Sequence, residues 1–522
     1  VVALLVAGCG GGGGGSGPAD AGPAIDTVAV GRVTASGSLV VNGITWDTAA
    51  ASVAIDGSPA GAADLRPGDV VAVAGTLAAG DARGTAVRID AHTAVRGPVI
   101  ARGIARDDDS RYATALVIEV LGQYVLVDPA TLAAGGIDIG SGAGLAPGTL
   151  VEVSGFHSFA TLTDTPDPGD PGSTVTSDFP LWRATRIVPA PPGTPLLATG
   201  TVTASDPGSH RLTVDRLAVD LATATFTGFG AAGPAAGDRV RVTGTAQLPD
   251  GSLVADRVEA VTDPLAGVPP GTDAIVEGFR EATGPGAPPG EVAIGGVTLT
   301  VAPGTLSGAA GPWRAVATTS VPGTSGSLAA PPGQPGVPTS ALRGPLEAIA
   351  PDGALQLLGR SVRPDPRAAY ADRRVPGLAL LAPADLRVGD VVTVAGCAPA
   401  DAVPGEPACA APASGEDFVA TQVLREPDDA GIAVRGTGGE RDGTAFALPA
   451  LGFFVETTPA TSYTLLGATL PDGFDPLDCV GGGQFVGITD TLRVAGSVAG
   501  TVAFTALAVD FEGCGALLPL PP

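Results

Sequence analysis

The stretch Asp64-Leu65-Arg66-Pro67-Gly68-Asp69-Val70-Val71-Ala72-Val73-Ala74-Gly75-Thr76 decides how this chain is built. It returns as Gly144-Leu145-Ala146-Pro147-Gly148-Thr149-Leu150-Val151-Glu152-Val153-Ser154-Gly155 and as Ala236-Gly237-Asp238-Arg239-Val240-Arg241-Val242-Thr243-Gly244-Thr245. A further copy is Asp385-Leu386-Arg387-Val388-Gly389-Asp390-Val391-Val392-Thr393-Val394-Ala395-Gly396, and a shorter echo is Leu492-Arg493-Val494-Ala495-Gly496. Pro-Gly suits the central positions of a type II turn, because proline presets φ and glycine accepts the positive φ that follows. A strand comes next. The positions of Val71 and Val73 hold Val151 and Val153, Val240 and Val242, Val392 and Val394, Leu492 and Val494, whereas the residue between them varies as Ala72, Glu152, Arg241, Thr393 and Arg493. Successive strand side chains point to opposite faces, so the paired apolar residues should face a core and the variable residue should face water. The closing glycine should end the strand.

Other pieces recur around this motif. Units open on a glycine with an apolar residue nearby: Gly31-Arg32-Val33, Gly200-Thr201-Val202, Gly278-Phe279 and Gly344-Pro345-Leu346. Alternating hairpins follow at Leu39–Trp46, Leu212–Val219 and Val292–Leu299, two of them around the Asn-Gly or Gly-Gly pairs that mark tight hairpin turns. A final strand such as Ala86-Val87-Arg88-Ile89, Ala184-Thr185-Arg186-Ile187 or Ala255-Asp256-Arg257-Val258 closes the unit. The expected fold class is all-β, a tandem array of about six small β-barrels, each of roughly five strands and OB-like, with small β-sandwiches as the alternative. The expected units span 28–93, 94–190, 196–262, 272–321, 340–426 and 430–516, the fourth degenerate, with a Pro/Gly linker at 322–339.

Composition agrees with a turn-rich β protein. Gly numbers 78 and Pro 49 in 522 residues, and only 4% of residues are aromatic, so the cores must rest on Val, Leu, Ile and Ala. The formal net charge is −25 and every basic residue is arginine. Such a surface repels phosphate backbones, which excludes general nucleic-acid binding, and it favours solubility and divalent cations.

The opening Val1-Val2-Ala3-Leu4-Leu5-Val6-Ala7-Gly8-Cys9 reads as the end of a secretory signal peptide, spanning 1–9. Val6-Ala7-Gly8-Cys9 resembles the bacterial lipobox, whose cysteine is lipidated, so the resemblance implies a membrane anchor at Cys9. Residues 10–27 follow as a Gly-rich flexible tether. Gly10, rather than an aspartate, after the cysteine favours the outer membrane by resemblance to Gram-negative lipoproteins. The remaining cysteines, Cys397, Cys409, Cys479 and Cys514, are even in number, as expected for two disulfides in an exported chain. The pairing Cys397–Cys409 and Cys479–Cys514 keeps each bridge within one unit. The spacings do not suit a zinc site.

The Gly-x-Val opening, the Asn-Gly-Ile hairpin, the Asp-Leu-Arg-Pro-Gly-Asp-Val-Val-x-Val-x-Gly strand and the closing Ala-x-Arg-Ile together resemble the bacterial domain-of-unknown-function family numbered 5666. Units one and three match best, and units four and six are only loosely similar. The resemblance implies tandem β-domains of an exported protein or lipoprotein and carries no assigned activity.

Candidate sites lie in the unequal loops, where binding usually resides. The unit-two insertion, Phe156 to Leu181, carries Asp164, Asp167, Asp170 and Asp178, oxygen ligands suited to Ca2+ but without EF-hand spacing. Phe156, Phe159, Phe179 and Trp182 flank it and could stack on a glycan or peptide. His92, His157 and His210 fall one to a unit with no shared motif, and no nucleophile or phosphate loop is recognisable. No cofactor is expected beyond that candidate Ca2+. The expected function is a non-enzymatic cell-envelope lipoprotein that binds another envelope protein or serves as a spacer. A glycan- or Ca2+-binding surface protein is the alternative, and a hydrolase with a site between units is the least favoured.

Overall fold

The computed structural model describes residues 25–35, 39–77, 83–105, 115–127, 130–137, 139, 144–163, 176–206, 208–230, 233–261, 263–265, 268–281, 291–300, 312–319, 324–327, 340–374, 379–397, 417–439, 441–465, 468–469, 475–480, 485–491 and 502–511. Regular structure among these residues is almost entirely β. In unit 1 the strands Thr27–Ala35, Leu39–Val41, Ile44–Asp47, Val70–Leu77 and Arg83–His92 close a ring in the order 1-2-3-5-4-1. The contact between the third and fifth strands is parallel and the others are antiparallel. This is the five-stranded barrel expected of an OB-like unit.

The same ring recurs in units 2, 3 and 5, opened by Val95–Ala105, Leu196–Asp206 and Ser340–Ile349. Unit 4 is a complete ring as well: Asp273–Glu281, Glu291–Ile294, Val297–Thr300, Pro312–Thr319 and Thr324–Ser327. Its fifth strand lies inside 322–339, the stretch read as a linker, because a Thr-Ser-Gly-Ser strand carries no apolar alternation to reveal it. Unit 6 uses Phe485–Thr491 as its fourth strand, one segment before the Leu492–Gly496 echo, which lies outside the described residues. Its opening strand is interrupted: Ile432–Thr437 pairs with Phe485–Thr491, and Arg441–Asp442 pairs with Ala445–Leu448.

The repeated motif has a definite mechanical role. Gly68, Gly148, Gly237 and Gly389 have φ of +84°, +89°, +94° and +96°, as a type II turn requires. Each turn is stitched to the opening strand by a reciprocal pair of 2.8 Å bonds, such as Gly68 N–H to Val33 O and Val33 N–H to Asp69 O. The turn carboxylate locks it further: Asp69, Asp238 and Asp390 each accept the backbone N–H three residues earlier, at 2.7 to 2.8 Å. Asp64 and Asp385 likewise accept from Gly61 and Ala382 at the preceding single turns of 3-10 helix.

The closing glycine does not end the strand. Gly75, Gly155, Gly244 and Gly396 sit at β-bulges within strands that continue, and a Cβ there would lie 2.0 to 2.4 Å from a carbonyl oxygen of the fifth strand. The bulge brings two backbones together where only glycine fits.

The inward residues Val71, Val73, Val151, Val153, Val240, Val242, Val392 and Val394 are all buried, at 0 to 1% exposure. The variable residue between them does not face water in the first three units. Ala72 packs with Leu265, Ala274 and Val276, joining unit 1 to unit 4. Arg241 reaches Asp56 of unit 1, and Glu152 holds Arg186 and Arg96 of its own unit, which reach unit 1. The outward face is therefore a contact face. Barrels also share hydrogen-bonded ladders: Thr27–Val30 runs parallel to Asp273–Val276, Val95–Arg96 pairs with Leu197–Ala198, and Ala341–Arg343 pairs with Ala433–Arg435.

Candidate interdomain site

A chain of alternating charges runs through the contacts of units 1, 2 and 3. Asp69, in the unit-1 turn, accepts from Arg186 Nε of unit 2 at 2.8 Å, and Ser154 Oγ donates to the same oxygen at 3.1 Å. Arg186 also donates to Glu152 at 2.9 Å, and Glu152 accepts from Arg96 at 2.8 Å. Arg96 then lies 3.5 Å from Asp56 of unit 1, and Asp56 lies 3.7 Å from Arg241 of unit 3. Arg241 ends the chain beside Glu259, at 3.7 Å. Asp69, Arg186 and Arg241 are buried, so the charges compensate one another where water does not reach. Burial alone would raise the Glu152 carboxyl, yet Arg186 and Arg96 together hold it below the usual carboxylate range. Burial would likewise lower Arg186, and Asp69 and Glu152 reverse that and raise it.

The motif explains how this chain is placed. Asp69 is the last residue of the turn, so one of its oxygens locks the turn and the other is left for a neighbour. Arg186 comes from the closing Ala-x-Arg-Ile strand, and Glu152 and Arg241 hold the outward position of the motif strand. Strand alternation aims all of these away from their own cores.

Beside the charged chain lies a cavity of about 60 Å³ shared by units 1 to 4. Its walls include His92 and Thr93 of unit 1, His157 and Trp182 of unit 2, Arg239 of unit 3 and the Gly295-Gly296 turn of unit 4. Arg241 Nη2 donates to His92 Nδ1 at 2.5 Å. Burial, reinforced by the Arg241 charge, lowers the His92 pKa from 6.5 to about 4, so the ring is neutral at pH 7. His157 packs edge-on against Trp182 with ring centroids 5.1 Å apart, and its Nε2 lies 3.4 Å from Asp215 of unit 3.

Two of the three histidines, which share no motif, thus meet one cavity. His210 stands instead in the unit-3 hairpin, at φ +54°. The unit-two insertion is a correction: most of it is a two-stranded ribbon, because Leu150–Thr163 and Thr176–Pro189 keep pairing well beyond the barrel. Phe156 and Trp182 are buried at 3% and 4% exposure, and Phe156 packs against Phe279 of unit 4 with ring centroids 6.2 Å apart. They join barrels and are not an open stacking platform. Phe159 and Phe179 stand in the same ribbon, opposite Pro180 and Ala160. Asp178 pairs with Thr161 there, while Asp164, Asp167 and Asp170 lie outside the described residues. Among the described residues, no group of three or more His, Cys, Asp or Glu is arranged to hold a metal ion. Cys397 ends a motif strand and Cys479 ends a 3-10 turn; Cys9, Cys409 and Cys514 lie outside the described residues.

Sequence reading missed Arg239 and Arg241 as site residues. The available signal was variation at the outward motif position, where Ala72 and Arg241 each meet another barrel.

The fold and its contacts define a tandem array of OB-like, five-stranded barrels. Three of those barrels are repeats of one family: the domain of unknown function DUF5666 matches residues 29–98, 109–163 and 199–259. No curated protein matches the chain.

Proposed function

We propose that this chain is a non-enzymatic protein of the bacterial cell envelope, exported and lipid-anchored at Cys9 to the outer membrane, whose barrel array serves as a binding or structural spacer. The observation that supports this reading most is the alternating charged chain from Asp69 to Glu259. It commits charged residues of three barrels, among them the outward motif residues Glu152 and Arg241, to holding those barrels in register, as a spacer needs. Residues 10–27 would act as the tether between lipid and array. Mass spectrometry of the mature protein from its native host tests the anchor: a diacylated Cys9 at the amino terminus is expected, and an unmodified Cys9 would overturn it. Within the same reading, Cys397–Cys409 and Cys479–Cys514 are the proposed disulfides. Non-reducing peptide mapping should recover both, and a Cys409–Cys479 peptide would contradict them.

A further inference from the structure

We propose that the cavity at the junction of units 1 to 4 is a binding site for one small oxyanion, a carboxylate or a phosphate. The argument rests on donors without acceptors. The Trp182 side chain is 4% exposed, and its indole N–H is buried with no hydrogen-bond partner. Arg239 lines the same cavity, and its guanidinium makes no hydrogen bond or ion pair with any described residue. It lies against the Gly295-Gly296 turn so closely that a Cβ on Gly296 would sit 2.4 Å from Arg239 Nη1. His92 supplies a third donor. Because Arg241 donates to its Nδ1, the neutral ring carries its proton on Nε2, and that N–H has no protein acceptor among the described residues.

Three residues that line one cavity, one of them a fixed cation, thus carry donors without acceptors among the described residues. The Trp182 N–H is the buried one of the three, and a buried donor is costly unless something accepts from it. A guanidinium joined by neutral N–H groups matches the geometry and charge of an oxyanion. The other charges around the cavity are already engaged: Arg241 with His92, Asp56 and Glu259, and Asp215 with His157. The Arg239 charge also acts on the Asp263 carboxyl, whose own bond goes to the Leu265 N–H. A volume of about 60 Å³ holds a few waters or one small group, since a water needs roughly 10–15 Å³ of such space, and it excludes a sugar ring. The site needs four barrels to form it, so no single repeat would carry it.

The test is calorimetric titration of the full chain at pH 7 with sodium phosphate and, separately, sodium acetate, with ionic strength held constant by NaCl. Saturable binding of one anion per chain, for either probe, is expected. Tryptophan emission should follow the same saturation curve, and Trp182→Phe should remove that change. Arg239→Gln should weaken binding by about tenfold or more, the loss expected for one charge-assisted bond, while Arg239→Lys should retain most of it. Absence of saturable binding for both anions would overturn the proposal and leave a water cluster only. Equal binding by Arg239→Gln would overturn it too, by placing the anion elsewhere.

Discussion

Units 1 and 5 carry nearly the same turn, Asp64-Leu65-Arg66-Pro67-Gly68-Asp69 and Asp385-Leu386-Arg387-Val388-Gly389-Asp390, in two different settings. The internal bonds agree. Both turns lock through the second aspartate, both cap a 3-10 turn through the first, and both bury the leucine. The surroundings do not. In unit 1 the turn is covered by unit 2: a Cβ on Gly68 would lie 2.8 Å from Thr185 O, and Thr185 Oγ1 donates to Gly68 O at 2.5 Å. In unit 5 a Cβ on Gly389 would meet nothing within 4 Å, and Val388 is 64% exposed. Asp69 binds an arginine of the next barrel, whereas Asp390 lies 3.6 Å from Arg425 of its own closing strand. One motif therefore builds the strand start in both units, and what packs on the turn and its aspartate decides whether it also joins two barrels.

Removing the arginine on each side should break this comparison most sharply. Arg186→Met removes the buried Asp69 carboxylate's arginine and leaves Glu152 with Arg96 alone, and should cost about 3–5 kcal/mol. Arg425 also binds Asp372, but Arg425→Met should cost only about 1–2 kcal/mol, because Arg374 still holds Asp372 at 2.9 Å and Asp390 is partly exposed. Urea denaturation of the two variants, followed by tryptophan emission and circular dichroism, measures the gap, and equal midpoints would erase the distinction.

The turn glycines should differ next. Gly68→Ala combines positive-φ strain with a clash against Thr185 and should cost about 2–4 kcal/mol. Gly389→Ala meets the strain alone, about 1–2 kcal/mol. Thermal melting of both variants against the parent checks the order.

The unit 1 to unit 3 contact adds a pH dependence through a histidine, a residue that unit 5 does not contain. The folded pKa of His92, about 4, lies below its unfolded value near 6.5, so the unfolded chain binds the extra proton first. The contribution is fully present above pH 6.5 and is lost as pH falls through 6.5 toward 4. It is worth at most about 3 kcal/mol, at 1.36 kcal/mol per pKa unit. Melting curves at pH 7 and pH 4.5 should show a drop that shrinks in His92→Asn. Smallest of all, Asp390→Ala loses one exposed turn bond and should cost about 0.5–1 kcal/mol by denaturant titration.

Much of the fold was legible because it depends on local chemistry. Pro-Gly fixes a turn, alternating valines mark an inside, and Asn42-Gly43 marks a hairpin. What stayed hidden depends on partners distant in sequence. Alternation separates inside from outside, but it cannot separate water from another barrel, so Glu152 and Arg241 read as solvent-facing. Gly75 read as a strand end because a bulge and a terminus both call for glycine. Thr324–Ser327 read as linker because its residues lack any apolar signature. The cavity was unreadable for the same reason, since Trp182, His92 and Arg239 converge only once four barrels are assembled.

The parallel ladder between Thr27–Val30 and Asp273–Val276 bears on the order of assembly. It links the first barrel to the fourth and skips two that lie between them in sequence. During synthesis the second and third barrels are complete before this partner strand exists, and closing so long an intervening segment costs more entropy than closing any one ring. The ladder therefore forms late. Until it does, one flank of the first strand offers unpaired N–H and C=O groups that a second copy of the chain can capture. A chain cut off after the third barrel would leave that flank without its partner strand, the edge that the fourth repeat covers in the full array.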